Sequence, residues 1–107
     1  MEILKLSREY FELFSKGDIN GLRNIYDNNI LLIDWNGQWS GLDEVLNMNK
    51  SLFDELSPNI EIQKIDFIVN RTYCIINIKV GEEMLKVIDV IDFSGDGKII
   101  KIEAFKG

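Results

Sequence analysis

The chain contains no histidine and a single cysteine, Cys74, so Ser-His-Asp and Cys-His nucleophilic pairs, disulfides and zinc-finger spacing are all excluded. Acid–base chemistry is left to aspartate, glutamate, tyrosine and lysine. The most telling of these is Asp89. Leu85, Val87, Asp89, Ile91 and Phe93 alternate along a strand-like run, which puts one carboxyl in the middle of an otherwise apolar face. A carboxyl placed there either finds hydrogen bonds or keeps its proton through a raised pKa, and perturbed groups of that kind are what functional sites use.

Asp34 repeats the situation at the end of an earlier apolar run, sharing a face with Ile30 and Leu32 while Leu31, Ile33 and Trp35 take the other. Its place at a strand end is that of a residue at a pocket mouth. Two readings are open for it: a proton-transfer base, or an acceptor for the Asn36-Gly37 turn that follows. Tyr10 lies in helical register with Leu6 and Leu13, and Asn49 falls between Val45 and Leu52 on an apolar stripe. Tyr10 and Tyr26 also fit as amphipathic core residues, and Asn49 as a solvent-facing one if the helical phase is shifted. Cys74 sits in a strand-like stretch and reads as a buried structural thiol.

These groups need elements to hold them. Apolar spacing from residue 3 to 15 predicts an amphipathic helix stopped by Gly17, and Asp18 is a natural N-cap for a shorter helix carrying Ile19, Leu22, Ile25 and Tyr26 inward. A strand is predicted over residues 30–35, with Asn36-Gly37 as its turn. Ser40-Gly41-Leu42-Asp43 matches a capping box opening a third helix through Val45, Leu46, Asn49, Leu52, Phe53 and Leu56, which ends before Pro58. From there the pattern is β, over 60–69, 73–80, 84–93 and 99–105, with turns at Asn70-Arg71, Gly81-Glu82 and Ser94-Gly95-Asp96-Gly97. Helices first and strands last predict an α+β fold, a curved antiparallel sheet wrapped around the helices. The length of 107 residues is that of one domain.

A net charge of −6 with scattered lysines offers no footprint for nucleic acid or anionic membrane. The start, Met1-Glu2-Ile3-Leu4-Lys5, lacks the apolar block of a signal peptide, and no apolar run is long enough to span a bilayer. A soluble, cytoplasmic protein is expected.

The run Tyr10-Phe11-Glu12-Leu13-Phe14-Ser15-Lys16-Gly17-Asp18, then Ile25-Tyr26, Ile33-Asp34, Gly41, Val87-Ile88-Asp89-Val90-Ile91-Asp92-Phe93, Gly97-Lys98-Ile99 and Ala104-Phe105 together resemble the nuclear transport factor 2-like superfamily. Within it they most resemble the ketosteroid isomerase and SnoaL-like branch. The resemblance implies that family's cone, a cystatin-like bent sheet closed by three helices around a deep apolar pocket, in a homodimer. It also implies roles: Tyr10 and a protonated Asp89 donating hydrogen bonds to a substrate oxygen, and Asp34 shuttling a proton, a division of pKa values known from ketosteroid isomerase. Tyr26, Asn49, Trp35, Val87, Ile91, Ile102 and Lys106 complete the expected substrate-binding set. No metal and no organic cofactor are expected, and the expected partner is a small apolar molecule.

The chain departs from the family pattern in two places. Asn49 stands where the isomerases carry a further tyrosine on the third helix, and Lys106 where an aromatic lines the steroid pocket. By alternation Lys106 shares a face with Ile100, Ile102 and Ala104, which turns it toward the pocket; a cation reaching Asp89 would favour the ionised carboxylate. The expected activity is cofactor-free isomerisation by proton transfer α to a carbonyl. The alternatives are a non-catalytic binding or dimerisation module, and a SnoaL-like cyclase or hydrolase. Ile88 and Val90, opposite Asp89 on their strand, need a cover, which a second copy would supply.

Overall fold

The computed structural model describes residues 2–107; Met1, part of the opening stretch read above, lies outside them. The first helix, α1 (Ile3–Lys16), buries Ile3, Ser7, Tyr10, Phe11 and Phe14 along one face. Gly17 ends it in the left-handed conformation, φ 66°, which a glycine adopts without a Cβ clash, and its N–H returns to the Phe14 carbonyl. Asp18 caps α2 (Ile19–Ile25), its Oδ1 accepting from the Gly21 N–H at 2.9 Å.

The helix stops one residue sooner than its apolar spacing predicts. Tyr26 is extended, φ −82° and ψ 141°, and opens β1 (Tyr26–Asp34) by pairing with Ile99. Between Tyr26 and Leu31 the register slips, over an irregular stretch of the strand in which Asp27 Oδ2 accepts from the Asn29 N–H at 2.9 Å. Turn chemistry at Asp27-Asn28-Asn29 and a distant strand partner override the local helical phase. β2 (Gly37–Ser40), a strand the sequence pattern does not show, pairs back on β1 with Asp34 opposite Gly37. The tight turn is therefore Trp35-Asn36, one residue earlier than expected.

α3 (Leu42–Glu55) begins at an N-cap of Gly41 with no side-chain cap. The expected Ser40 capping box is replaced by Glu44, whose Oε2 accepts from the Ser40 N–H at 3.2 Å and puts a carboxylate in the helix's first turn. The remaining strands are β3 (Asn59–Ile68), β4 (Arg71–Val80), β5 (Glu83–Phe93) and β6 (Ile99–Lys106). The β3–β4 turn falls on Val69-Asn70 rather than Asn70-Arg71, with Val69 at φ 58°.

The six strands run in the order β2-β1-β6-β5-β4-β3. The expected meander of β3 to β6 is antiparallel throughout, but β1 joins it parallel to β6. Register shifts after Ile62 in β3 and between Asp92 and Phe93 on β5 mark bulges that bend the sheet around α1 and α3. On β6 the second bulge leaves Ile100 unpaired opposite β5 and breaks its expected alternation with Ile102. The concave face carries the core, including Ile76, Val87, Ile91 and Ile102. On the convex face Tyr73, Ile88 and Phe105 stay 37, 42 and 50% exposed, with Ile88 directly opposite Phe105 in the ladder. Among the described residues no helix is long and apolar enough to cross a membrane.

Candidate active site

A cavity of about 240 Å³ opens between the concave sheet and helices α1 and α3. Tyr10 and Phe14 reach it from α1, Met48, Asn49 and Leu52 from α3, and Ile76, Ile78, Val87, Ile102 and Ala104 from the sheet. Its floor is built from residues almost free of solvent; Trp35 and Leu56, 41 and 39% exposed, stand at its rim.

Strand alternation delivers Asp89 to this cavity between Val87 and Ile91, both fully inside. Its neighbours across the ladder are Cys74 on β4 and Ala104 on β6, small side chains that leave the carboxyl uncovered. No protein group among the described residues hydrogen-bonds it, although it is only 6% exposed. Burial, and then the charge of Asp34, push its pKa up to about 7. Asp89 thus holds a proton well above the range of an ordinary carboxyl.

Asp34 is the acceptor of the turn that follows it, and it also lines the cavity. Its Oδ1 accepts from the Asn36 N–H at 2.7 Å and the Gly37 N–H at 3.2 Å, so it ties down the turn, and the same carboxylate lines the cavity. Its second oxygen, Oδ2, has no protein partner among the described residues. One oxygen orients the group and the other is open to receive a proton.

Tyr10 presents its phenol to the cavity, and burial, followed by Tyr26 and the charge of Asp89, holds its pKa well above the ordinary value. It is a hydrogen-bond donor at any physiological pH. Tyr26 is fully packed behind it, ring centroids 6.3 Å apart, and does not reach the cavity wall. Its hydroxyl donates to Asn49 Oδ1 at 2.7 Å, and burial raises its pKa. Tyr26 therefore acts on Tyr10 and Asn49 rather than on a ligand. Asn49 lies on the wall and is fully buried, so the solvent-facing alternative does not hold. Replacing Asn49 with leucine is expected to cost about 1–3 kcal/mol in urea unfolding, because the Tyr26 hydroxyl loses its partner in the core. Tyr26→Phe in that background should recover part of the loss.

Val87, Ile102 and Trp35 are on the wall as expected, but Ile91 and Lys106 are not. Ile91 shares the inner face with Asp89, yet its β4 neighbour Thr72 is covered by Ser7 of α1 through a 2.8 Å hydroxyl–hydroxyl hydrogen bond, which closes that end of the cone. Lys106 is opposite Val87 in the ladder, but its side chain is exposed. Its Nζ rests over the Trp35 ring, 5.5 Å from the centroid, where a cation gains from the ring's negative face. Asp89 consequently has no cationic neighbour among the causes of its shift.

Met48, Leu56, Pro58, Ile76, Ile78, Val80 and Leu85 also line the cavity and were missed as a site. For Ile76, Ile78 and Val80 the signal was present: they alternate on β4 in step with the Asp89 face. No lysine or arginine lies on the wall, and no group of three or more His, Cys, Asp or Glu side chains gathers among the described residues. The arrangement can therefore donate two hydrogen bonds, from Tyr10 and protonated Asp89, and accept a proton at Asp34, within largely hydrocarbon surroundings.

A family model for the SnoaL-like domain matches residues 7–102. A search of curated proteins finds no match. Among solved structures, one described as a candidate ketosteroid isomerase from Kribbella flavida superposes with a TM-score of 0.88 at 13% identity, covering 96% of this chain and 76% of that one. A candidate polyketide cyclase from Sinorhizobium meliloti gives 0.86 at 14% identity over 94% and 93% of the two chains. An NTF2-like protein of unknown function from Cytophaga hutchinsonii gives 0.87 at 11%, over 100% and 91%. At such identities the likeness is one of fold.

Proposed function

The chain belongs to the SnoaL-like domain family of the nuclear transport factor 2-like superfamily, and on that premise we propose that it is a cofactor-independent isomerase moving a proton α to a carbonyl. The observation that carries this reading is the unpartnered, proton-holding Asp89 sharing one apolar cavity with the Tyr10 phenol and the open Oδ2 of Asp34. The substrate carbonyl oxygen accepts hydrogen bonds from Tyr10 and Asp89. Asp34 Oδ2 takes the proton from the α carbon, the electron pair moves into the carbonyl, and the enolate oxygen is held by the two donors. Asp34 then returns the proton at the γ carbon of the conjugated enolate, and the double bond ends in conjugation with the carbonyl. The donors gain most when the oxygen is negative, which is when the barrier is highest.

Following isomerisation of β,γ-unsaturated ketones by the appearance of the conjugated enone's ultraviolet band tests this directly. Turnover by the wild-type chain is the expected result. Silence toward every ketone, with a phenolic enolate mimic still bound, would turn the reading to a binding protein. The same three groups could also promote an aldol-type ring closure, the class of chemistry named for the Sinorhizobium neighbour, and product analysis separates the two.

We also propose that two copies pair through the convex face, because Tyr73, Ile88 and Phe105 form an apolar strip that water otherwise wets. Light scattering at micromolar concentration should give twice the chain mass for wild type and the chain mass for Ile88→Lys. A wild-type monomer would overturn it.

A further inference from the structure

We propose that the site is built for a neutral, two-ring compound and not for a steroid or an acid, a statement that rests on the isomerase reading and narrows its substrate class. Size is the first argument. An apolar cavity of about 150 Å³ accommodates benzene, or roughly 25 Å³ for each non-hydrogen atom. On that scale the 240 Å³ here holds about ten such atoms, the size of a naphthol or a bicyclic enone. A four-ring skeleton of about twenty atoms would need about twice the space, and half of it would lie outside the wall.

Charge is the second argument. Two carboxyl groups, Asp34 and Asp89, face the cavity and no lysine or arginine lines it. A ligand carboxylate would enter beside the Asp34 carboxylate with no cation to pair with, in surroundings that water does not screen. Lys106, on the strand that carries Ala104, is held over Trp35 outside the cavity. Hydrogen bonding is the third. Besides Tyr10, Asp34 and Asp89, the polar side chains on the wall are Asn36 and Asn49, the latter with its Oδ1 already taken by the Tyr26 hydroxyl, while Leu85, Val80, Leu56 and Pro58 contribute hydrocarbon to the rest of the wall. One oxygen with a hydrocarbon body meets both the Tyr10 and the Asp89 donors, and a ligand anion placed elsewhere on the wall would be buried without a cation.

Calorimetric titration of the wild-type chain at pH 6 with phenol, 2-naphthol, 2-naphthoate and a phenolic steroid tests the class independently of turnover. The second ring should tighten binding at least about tenfold from phenol to 2-naphthol, the steroid should gain nothing over 2-naphthol, and 2-naphthoate should bind at least about tenfold more weakly. A steroid bound about tenfold more tightly than 2-naphthol, a naphthoate bound as well as the naphthol, or no binding by any of the four would overturn the proposal. Turnover of bicyclic and steroidal β,γ-unsaturated ketones separates the two levels of argument. The expected binding order without turnover of either ketone retains the ligand class and removes the isomerase; turnover favouring the steroid retains the isomerase and removes the class.

Discussion

Asp34→Asn is expected to lower kcat/KM for ketone isomerisation by about 10³-fold, the usual contribution of a positioned general base. The substitution is selective in its chemistry. An asparagine Oδ1 can still accept from the Asn36 and Gly37 N–H groups, so the turn that carries Trp35 is kept. What disappears is Oδ2, the oxygen without a protein partner among the described residues, whose place is taken by an amide nitrogen that cannot accept a proton. Binding of 2-naphthol, which needs donors and no base, should survive. A second signature accompanies the loss. The charge of Asp34 is one of the two causes that raise the Asp89 pKa, so its removal should shift the pH at which naphthol binding declines toward lower values. Stopped assays on purified wild type and variant, with naphthol titrations at several pH values, check both parts. A variant with kcat/KM within about threefold of wild type would place the base elsewhere.

Asp89→Asn should change the pH dependence of stability more than any other single substitution at this site. In the folded chain Asp89 keeps its proton to about pH 7, whereas its ordinary value is 3.8. Between those values the folded state binds more protons than the unfolded state, so stability falls as pH rises through the window and levels off above it. The shift corresponds to a penalty on the order of 4 kcal/mol at pH 8, absent at pH 3. Urea unfolding of wild type and Asp89→Asn from pH 3 to pH 8 should give two curves that separate progressively from about pH 4 to pH 7, with the wild type losing stability relative to the variant. Parallel curves would mean that Asp89 titrates normally. In the wild type, turnover should decline above about pH 7 for the same reason, since an ionised Asp89 donates no hydrogen bond to the enolate.

The elements set by local rules were legible in the sequence. Helical spacing and the Gly17 and Asp18 signals located α1 and the start of α2, and strict alternation along β5 put Asp89 on the inner face. Other features depend on partners distant in the chain. Tyr26 is a strand residue because Ile99 is beside it, and β2 exists because a two-residue turn lets polar Gln38 and Ser40 pair with β1. Alternation assigns a face but not a position along the cone. Ile91 has the correct parity and is sealed by α1, and Lys106 lies beyond the rim on Trp35. The wall outside the strands was hidden for a different reason: Met48 on α3, and Leu56 and Pro58 after it, carry no chemistry that distinguishes a cavity lining from a filled core.

The parallel placement of β1 beside β6 also orders the assembly of the site in time. β3, β4, β5 and β6 are successive antiparallel neighbours joined by short connections, so their pairings close small loops at little entropic cost. Leu32 pairs with Ile102, about seventy positions away, and that contact closes a long loop before it gains anything. During refolding, Asp89 reaches its ladder neighbours Cys74 and Ala104 through the local hairpins, and Asp34 arrives only when β1 docks. The fluorescence of Trp35, in the turn that follows β1, should accordingly reach its native value after the far-ultraviolet signal of the sheet has formed. A chain halted at that stage holds an acid without its base.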